Sequence, residues 1–125
     1  MIVIVDDDES VREATKFLVM SLGHPVLTFA SAEEYLGSDQ VSATSCLISD
    51  LKMPGMSGVE LQKRLIAEGH RIPMIFVTAF FEEEVRSRTL RAGALGFLSK
   101  PFEDQSLIEC LNRALQSDSA ALAQQ

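Results

Sequence analysis

Short apolar runs alternating with helix-patterned stretches constrain this chain more than any other feature of its sequence. The runs occupy residues 2–5, 26–29, 46–48, 74–77 and 94–98. Each has the length of a strand and lies well below that of a buried helix. Between them apolar side chains return at helical intervals: Val11, Phe17, Leu18 and Leu22, then Val59, Leu61, Leu65 and Ile66, then Leu107, Ile108, Leu111 and Leu115. Strand followed by helix, repeated along the chain, predicts an α/β domain whose parallel sheet is covered by helices on both faces. The β-rich, wholly apolar run 74–77 suits a central strand buried on both sides.

Helix punctuation agrees with that reading. Ser31 with Glu34 and Ser57 with Glu60 have capping-box spacing, and Gly23, Gly69 and Gly93 stand where helices should stop. Periodicity alone leaves the strand order open. Five strands fit a doubly wound, flavodoxin-like order 2-1-3-4-5, whose switch point lies between strands one and three and gathers ligands there. With 125 residues the chain holds one domain of ordinary size. The pattern spans residues 1–115, whereas 116–125 contain only Ser, Ala, Gln, one Asp and one Leu and resemble a helix tail passing into a linker.

Eighteen acidic against eleven basic residues give a net charge of −7. Such a field repels nucleic acid and anionic membrane surfaces, so direct binding to either is not expected of this domain. Cys46 and Cys110 sit in apolar segments far apart and without a Cys-x-x-Cys partner, as reduced thiols of a cytoplasmic protein do. The apolar run after Met1 is stopped by acids too soon for a signal peptide or a membrane span.

Parallel strands place all their carboxyl ends along one edge, which makes neighbours of the residues that follow them. Here those residues are Asp6, Asp7 and Asp8 after strand one, Asp50 after strand three, Thr78 after strand four, and Ser99 with Lys100 after strand five. Carboxylates within ~5 Å of one another repel unless a cation lies between them. Oxygen donors with room for water suit Mg²⁺ or Mn²⁺, whereas Zn²⁺ would seek His or Cys that this edge lacks. A cation with Lys100 would leave a pocket for a phosphoryl group, and Asp50 would be its acceptor nucleophile.

These residues resemble the receiver domains of two-component response regulators over residues 2–115. The motifs are Ile-Val-Asp-Asp at 4–7, Asp-Leu-Lys-Met-Pro-Gly-Met-Ser-Gly at 50–58, Thr-Ala at 78–79 and Lys-Pro-Phe at 100–102. The wording of 53–61 and 97–105 looks most like the FixJ-type branch, whose members usually continue into a helix-turn-helix DNA-binding domain. The resemblance implies that Asp7 binds Mg²⁺ directly, Asp6 mostly through water, and that Asp50 is both ligand and phosphorylation site. It further implies the backbone carbonyl of Lys52 as a ligand, Lys100 as the amine on the phosphoryl group, and a cis peptide before Pro101. Thr78 and Phe97 match the family's switch pair, and a Phe there packs inward without the hydrogen bond a Tyr would donate. The implied partner is a sensor histidine kinase. The implied reaction is the domain's own phosphorylation and dephosphorylation, not enzymatic turnover, with output to transcription. The 82–92 helix with strand five is the surface the family uses for dimers formed on phosphorylation. The linker-like tail favours a receiver excised from a longer regulator over a single-domain one.

Plainer readings stand beside these. Asp8 and Glu9 suit a first helical turn merely by complementing its dipole. Thr78 can bond locally to backbone, and Phe97, Met53 and Met56 can be packing residues. Pro54 and Gly55 are turn residues that reverse the chain after Asp50. A rival from another class is a haloacid-dehalogenase-type phosphatase, with Asp6 as nucleophile and Asp8 as general acid, although its final acidic pair would have to be Glu103 and Asp104. A receiver-like binding module that works without phosphorylation is the third reading. A flavin carrier fits least, since its first loop must donate to a phosphate and residues 6–9 would repel one.

Overall fold

The computed structural model describes the backbone of residues 1–123 and the side chains of residues 1–116. Five strands, β1 Ile2–Val5, β2 Val26–Phe29, β3 Cys46–Asp50, β4 Met74–Thr78 and β5 Gly96–Ser99, form one sheet in the order β2-β1-β3-β4-β5. Every pairing is parallel, with Ile4 opposite both Thr28 and Ile48, and Phe76 opposite Ser49 and Phe97. The doubly wound order expected from the alternation is the one observed. Helices α1 Glu9–Ser21, α2 Ala32–Leu36, α3 Gly58–Ala67 and α4 Glu83–Arg91 supply the crossovers, with a short 3₁₀ turn at Val41–Ala43, and α5 Asp104–Ala123 follows β5.

Alternation along the strands splits the core in two. Val3, Val5, Leu47 and Phe76 face one side, packed with Tyr35, Leu61 and Leu65. Ile2, Ile4, Ile48, Ile75 and Val77 face the other, packed with Val19, Leu107 and Leu111. Both faces of β1, β3 and β4 are therefore dry, which is why these strands read as unbroken apolar runs. Cys46 and Cys110 are buried, free thiols of the second core, and burial pushes the Cys46 thiol up to about 12.

Three boundaries differ from the sequence reading. Strands β3 and β4 run on to Asp50 and Thr78, because polar residues at a strand end keep their ladder bonds while their side chains reach solvent or a site. Strand β5 begins only at Gly96, since the Ala94 N–H closes the end of α4 on the Thr89 carbonyl. Helix α2 is five residues long, and its cap is lopsided: Ser31 accepts from the Glu34 N–H, while Glu34 reaches the Ala30 N–H instead of Ser31's own. Ser57 and Glu60, by contrast, form a complete capping box at the start of α3. Gly23, Gly69 and Gly93 all take positive φ after helix ends. The linker-like reading of 116–125 falls almost wholly on residues whose side chains lie outside the described ones.

Between the middle of α3 and the carboxyl end of α4, the buried Gln62 amide donates to the Thr89 carbonyl at 3.0 Å. Among the described residues no helix is long and apolar enough to cross a membrane.

Candidate functional site

The carboxyl ends of β1, β3, β4 and β5 meet on one edge of the sheet and bring the singled-out side chains together. Asp6 and Asp7 follow β1, Asp50 closes β3, Thr78 closes β4, and Lys100 follows β5. Carboxylate oxygens of Asp6, Asp7 and Asp50 lie within 4.8 Å of one another. Asp6 and Asp50 are buried, while Asp7 is exposed.

Each acid is held differently. Asp6 accepts from Lys100 Nζ at 2.9 Å through one oxygen and from the Asp8 N–H at 2.9 Å through the other. Its backbone is tied as well: the N–H donates to Phe29, and the carbonyl accepts from Arg12 Nη1 at 2.7 Å. Lys100 Nζ also stands 3.5 Å from Asp50 Oδ2, so a single ammonium serves two buried carboxylates. Burial first, then the charge of Asp6, push the Asp50 carboxyl up to about 6 against the pull of Lys100. The deficit of positive charge is the main electrostatic fact of the site.

Local sequence explains why Asp50 sits where it does. Helix α3 starts so close behind β3 that a Cβ on Gly58 would collide with the Asp50 carbonyl and come within 3.1 Å of Leu51 Cα and the Phe76 ring. Only glycine permits that approach, and the Gly58 N–H donates to the Leu51 carbonyl at 2.8 Å. Between them the chain turns at Gly55, with φ +78. The Glu33 carboxylate of α2 fills the space a Gly55 side chain would need and accepts the Met56 N–H at 3.0 Å.

The remaining residues frame the entrance. The buried Thr78 hydroxyl accepts from the Phe80 N–H at 3.0 Å and meets the Phe80 carbonyl at 3.2 Å, a local arrangement within its own turn. The Lys100–Pro101 peptide is cis, and the Lys100 N–H donates to the Thr78 carbonyl at 2.7 Å. Phe97 is half-buried, edge-on to Phe81 with ring centroids 5.6 Å apart. Lys52 Nζ lies 4.9 Å from the centre of the Phe80 ring and 3.3 Å from Glu82. Asp8 is used elsewhere: its carboxylate caps α1 by accepting from the Val11 N–H at 3.1 Å. A general acid opposite Asp6 is therefore not what Asp8 supplies here.

Sequence reasoning missed Arg12, Glu33 and the packing role of Gly58. Arg12 carried one signal: a cation just past an acid-rich helix start opposes the helix dipole, and so calls for a specific partner.

Comparison with known proteins places this geometry in a family. Residues 2–112 match the response regulator receiver domain. Nodulation protein W of Bradyrhizobium diazoefficiens is 38% identical over 118 residues, covering 94% of this chain and 52% of that protein. Transcriptional regulatory protein FixJ of the same organism is 34% identical over 121 residues, covering 96% of this chain and 59% of its own length. The solved structure of response regulator StyR superposes with a TM-score of 0.89 at 40% identity, over 98% of this chain and 62% of that one. The chain thus spans about half the length of the relatives it matches, and it belongs to the response regulator receiver family, in the FixJ-type branch.

Proposed function

We propose that this domain takes a phosphoryl group onto Asp50 from the phosphohistidine of a sensor kinase, in a reaction that needs a divalent metal. The observation that carries the reading is the trio of acids around one shared ammonium: Asp6, Asp7 and Asp50 within 4.8 Å, with Lys100 the one ion-pair partner of the two buried ones among the described residues. Three carboxylate donors, partly open to solvent and without nitrogen or sulfur ligands, fit Mg²⁺ or Mn²⁺. Asp7 and Asp50 would hold the ion directly, Asp6 mostly through water, with the Lys52 backbone carbonyl as a further ligand. When bound, the ion neutralises the acids and the oxygens of the incoming group.

The chain's own residues do the rest. An Asp50 oxygen attacks phosphorus in line with the imidazole nitrogen, the P–O bond forms as the P–N bond breaks, and the imidazole leaves with the bond's electron pair. Lys100 is placed to follow the phosphoryl oxygens from its present position between Asp6 and Asp50. The Thr78 hydroxyl must give up its contact with the Phe80 carbonyl to donate to them. Phe97 then turns toward the space Thr78 vacates, which makes these two residues the switch. Hydrolysis of the acyl phosphate resets the domain, so it catalyses only its own modification and is not a turnover enzyme.

The relatives' roles extend the reading. Regulators of about twice this length, with names such as transcriptional regulatory protein, support control of transcription through a separate output domain, joined here through a linker at 116–125. The net charge of −7 leaves nucleic acid to that domain. Buried free thiols and a kinase partner fit the cytoplasm.

Mass spectrometry after incubation with acetyl phosphate and Mg²⁺, beside a metal-free control, tests the proposal. The expected result is metal-dependent phosphate on Asp50, absent in Asp50→Asn and nearly unchanged in Asp8→Asn, since Asn caps a helix as well as Asp does. Label on Asp6 would return the phosphatase reading. No label at all would leave a binding module that works without phosphorylation.

A further inference from the structure

The three acids differ in what orients them, and the difference points to Arg12. Asp6 is fixed by three bonds to its side chain and carbonyl, and Asp50 lies at the end of a strand beside Lys100. Asp7 is exposed, and among the described residues its carboxylate makes no hydrogen bond and no ion pair. What sets its direction is the backbone, above all the Asp6–Asp7 peptide. The oxygen of that peptide is the Asp6 carbonyl, which accepts from Arg12 Nη1 at 2.7 Å.

Arg12 has other choices. Asp7, Asp8, Glu9 and Glu13 are all within a few residues of it, yet among the described residues it forms no ion pair, and its guanidinium spends a charge-assisted bond on a neutral carbonyl. A guanidinium hydrogen-bonded to a peptide's carbonyl oxygen restrains how that peptide is turned, and so the direction in which the next Cα–Cβ bond leaves. Asp8 completes the brace from the other side: its N–H holds the Asp6 carboxylate and its side chain starts α1, the helix that carries Arg12.

We infer that Arg12 is a positioning residue for metal binding, aiming the Asp7 carboxylate through the Asp6–Asp7 peptide. This rests on the assignment of the acidic trio as the metal site. It makes a counterintuitive prediction. On charge alone, removing a cation near a cation site should tighten metal binding. On geometry, it should loosen it, because supports of metal ligands typically matter by roughly tenfold or more in affinity.

Calorimetric titration of the whole chain with Mg²⁺, without phosphodonor, separates these effects. For Arg12→Met, similar in length but without charge or donor, the expected result is a dissociation constant roughly five- to tenfold weaker, with the metal-free melting curve little changed. Arg12→Lys, which keeps a charge and a donor, should recover most of the loss. Equal or tighter binding by Arg12→Met overturns the inference and leaves the metal site standing. Failure of the unaltered chain to bind Mg²⁺ removes the site itself and the inference with it. If Arg12→Met does not fold, Arg12→Gln is judged by the same criterion.

Discussion

At the scale of single residues, the site stores an electrostatic imbalance that should appear as pH dependence. The Asp50 carboxyl is raised from 3.8 to about 6, first by burial and then by Asp6. Between those values the folded chain keeps a proton that the unfolded chain has released. Stability must therefore fall as pH rises through that window; acidification from pH 7 to about pH 5 recovers roughly half of it, and the rest returns only below about pH 4. The effect is up to roughly 3 kcal/mol at about 1.4 kcal/mol per pH unit. Denaturant titrations in EDTA at pH 7 and pH 5 should show the unaltered chain gaining stability at the lower pH. Asp50→Asn should be more stable than the unaltered chain at pH 7 and lose most of that dependence. An Asp50→Asn chain that tracks the parent at both pH values would place the repulsion elsewhere. The residues responsible for this were legible from the sequence, because an acid after strand one and an acid after strand three can only be neighbours in a parallel sheet with this order. Arg12 and Glu33 were not, since each acts on a backbone group, which every residue carries and which therefore does not mark the partner in the sequence.

Elements show the same division. Strands and helix starts were written locally, in apolar runs and in Ser57 with Glu60, so their existence and type followed from the sequence. The brevity of α2 and the late start of β5 were not, because both are settled by backbone bonds that close a helix end, such as those from the Ser38 N–H to the Tyr35 carbonyl and from the Ala94 N–H to the Thr89 carbonyl. The junction of β3 and α3 is closed by backbone packed against backbone. Gly58→Ala should destabilise the fold by about 3 kcal/mol, the cost of forcing a methyl group against backbone that cannot recede, and denaturant titration measures it. An alanine tolerated there without loss would mean that α3 can slide. Beside the site Lys52 sits over the Phe80 ring, and we propose that the bulk of Phe80 restricts the water that attacks the acyl phosphate. Phe80→Ala should shorten the phosphoprotein's lifetime, by about twofold or more, as read from decay of the labelled species; an unchanged lifetime removes Phe80 from that role.

For the whole molecule, the question is how a local phosphoryl group is felt by a partner. Helix α4 exposes Glu83 and Glu84 with Arg88 and Arg91, its N-cap Glu82 is exposed beside them, and the half-buried Arg86 bridges to Glu83 at 3.0 Å. Mixed charge of this kind serves a solvated helix or a self-complementary contact equally well. Sizing the domain with and without a fluoride-based phosphoryl mimic distinguishes them: movement toward twice the mass is expected of a dimer through α4 and β5, and an unchanged size assigns the face to solvent.

The bond between the Gln62 amide and the Thr89 carbonyl limits how α4 can respond. It anchors the carboxyl end of that helix to α3, whose own start is wedged behind Asp50. A helix tied at one end swings more readily than it translates. With a rise of about 1.5 Å per residue, Glu83 lies about 9 Å from the pivot at Thr89. A tilt of a few degrees then leaves the Thr89 end almost in place and moves the end next to Lys52 and Phe80 by roughly half an ångström to one ångström. The helix is a lever with its fulcrum away from the chemistry, and its free arm is the one that borders the phosphate-accepting edge.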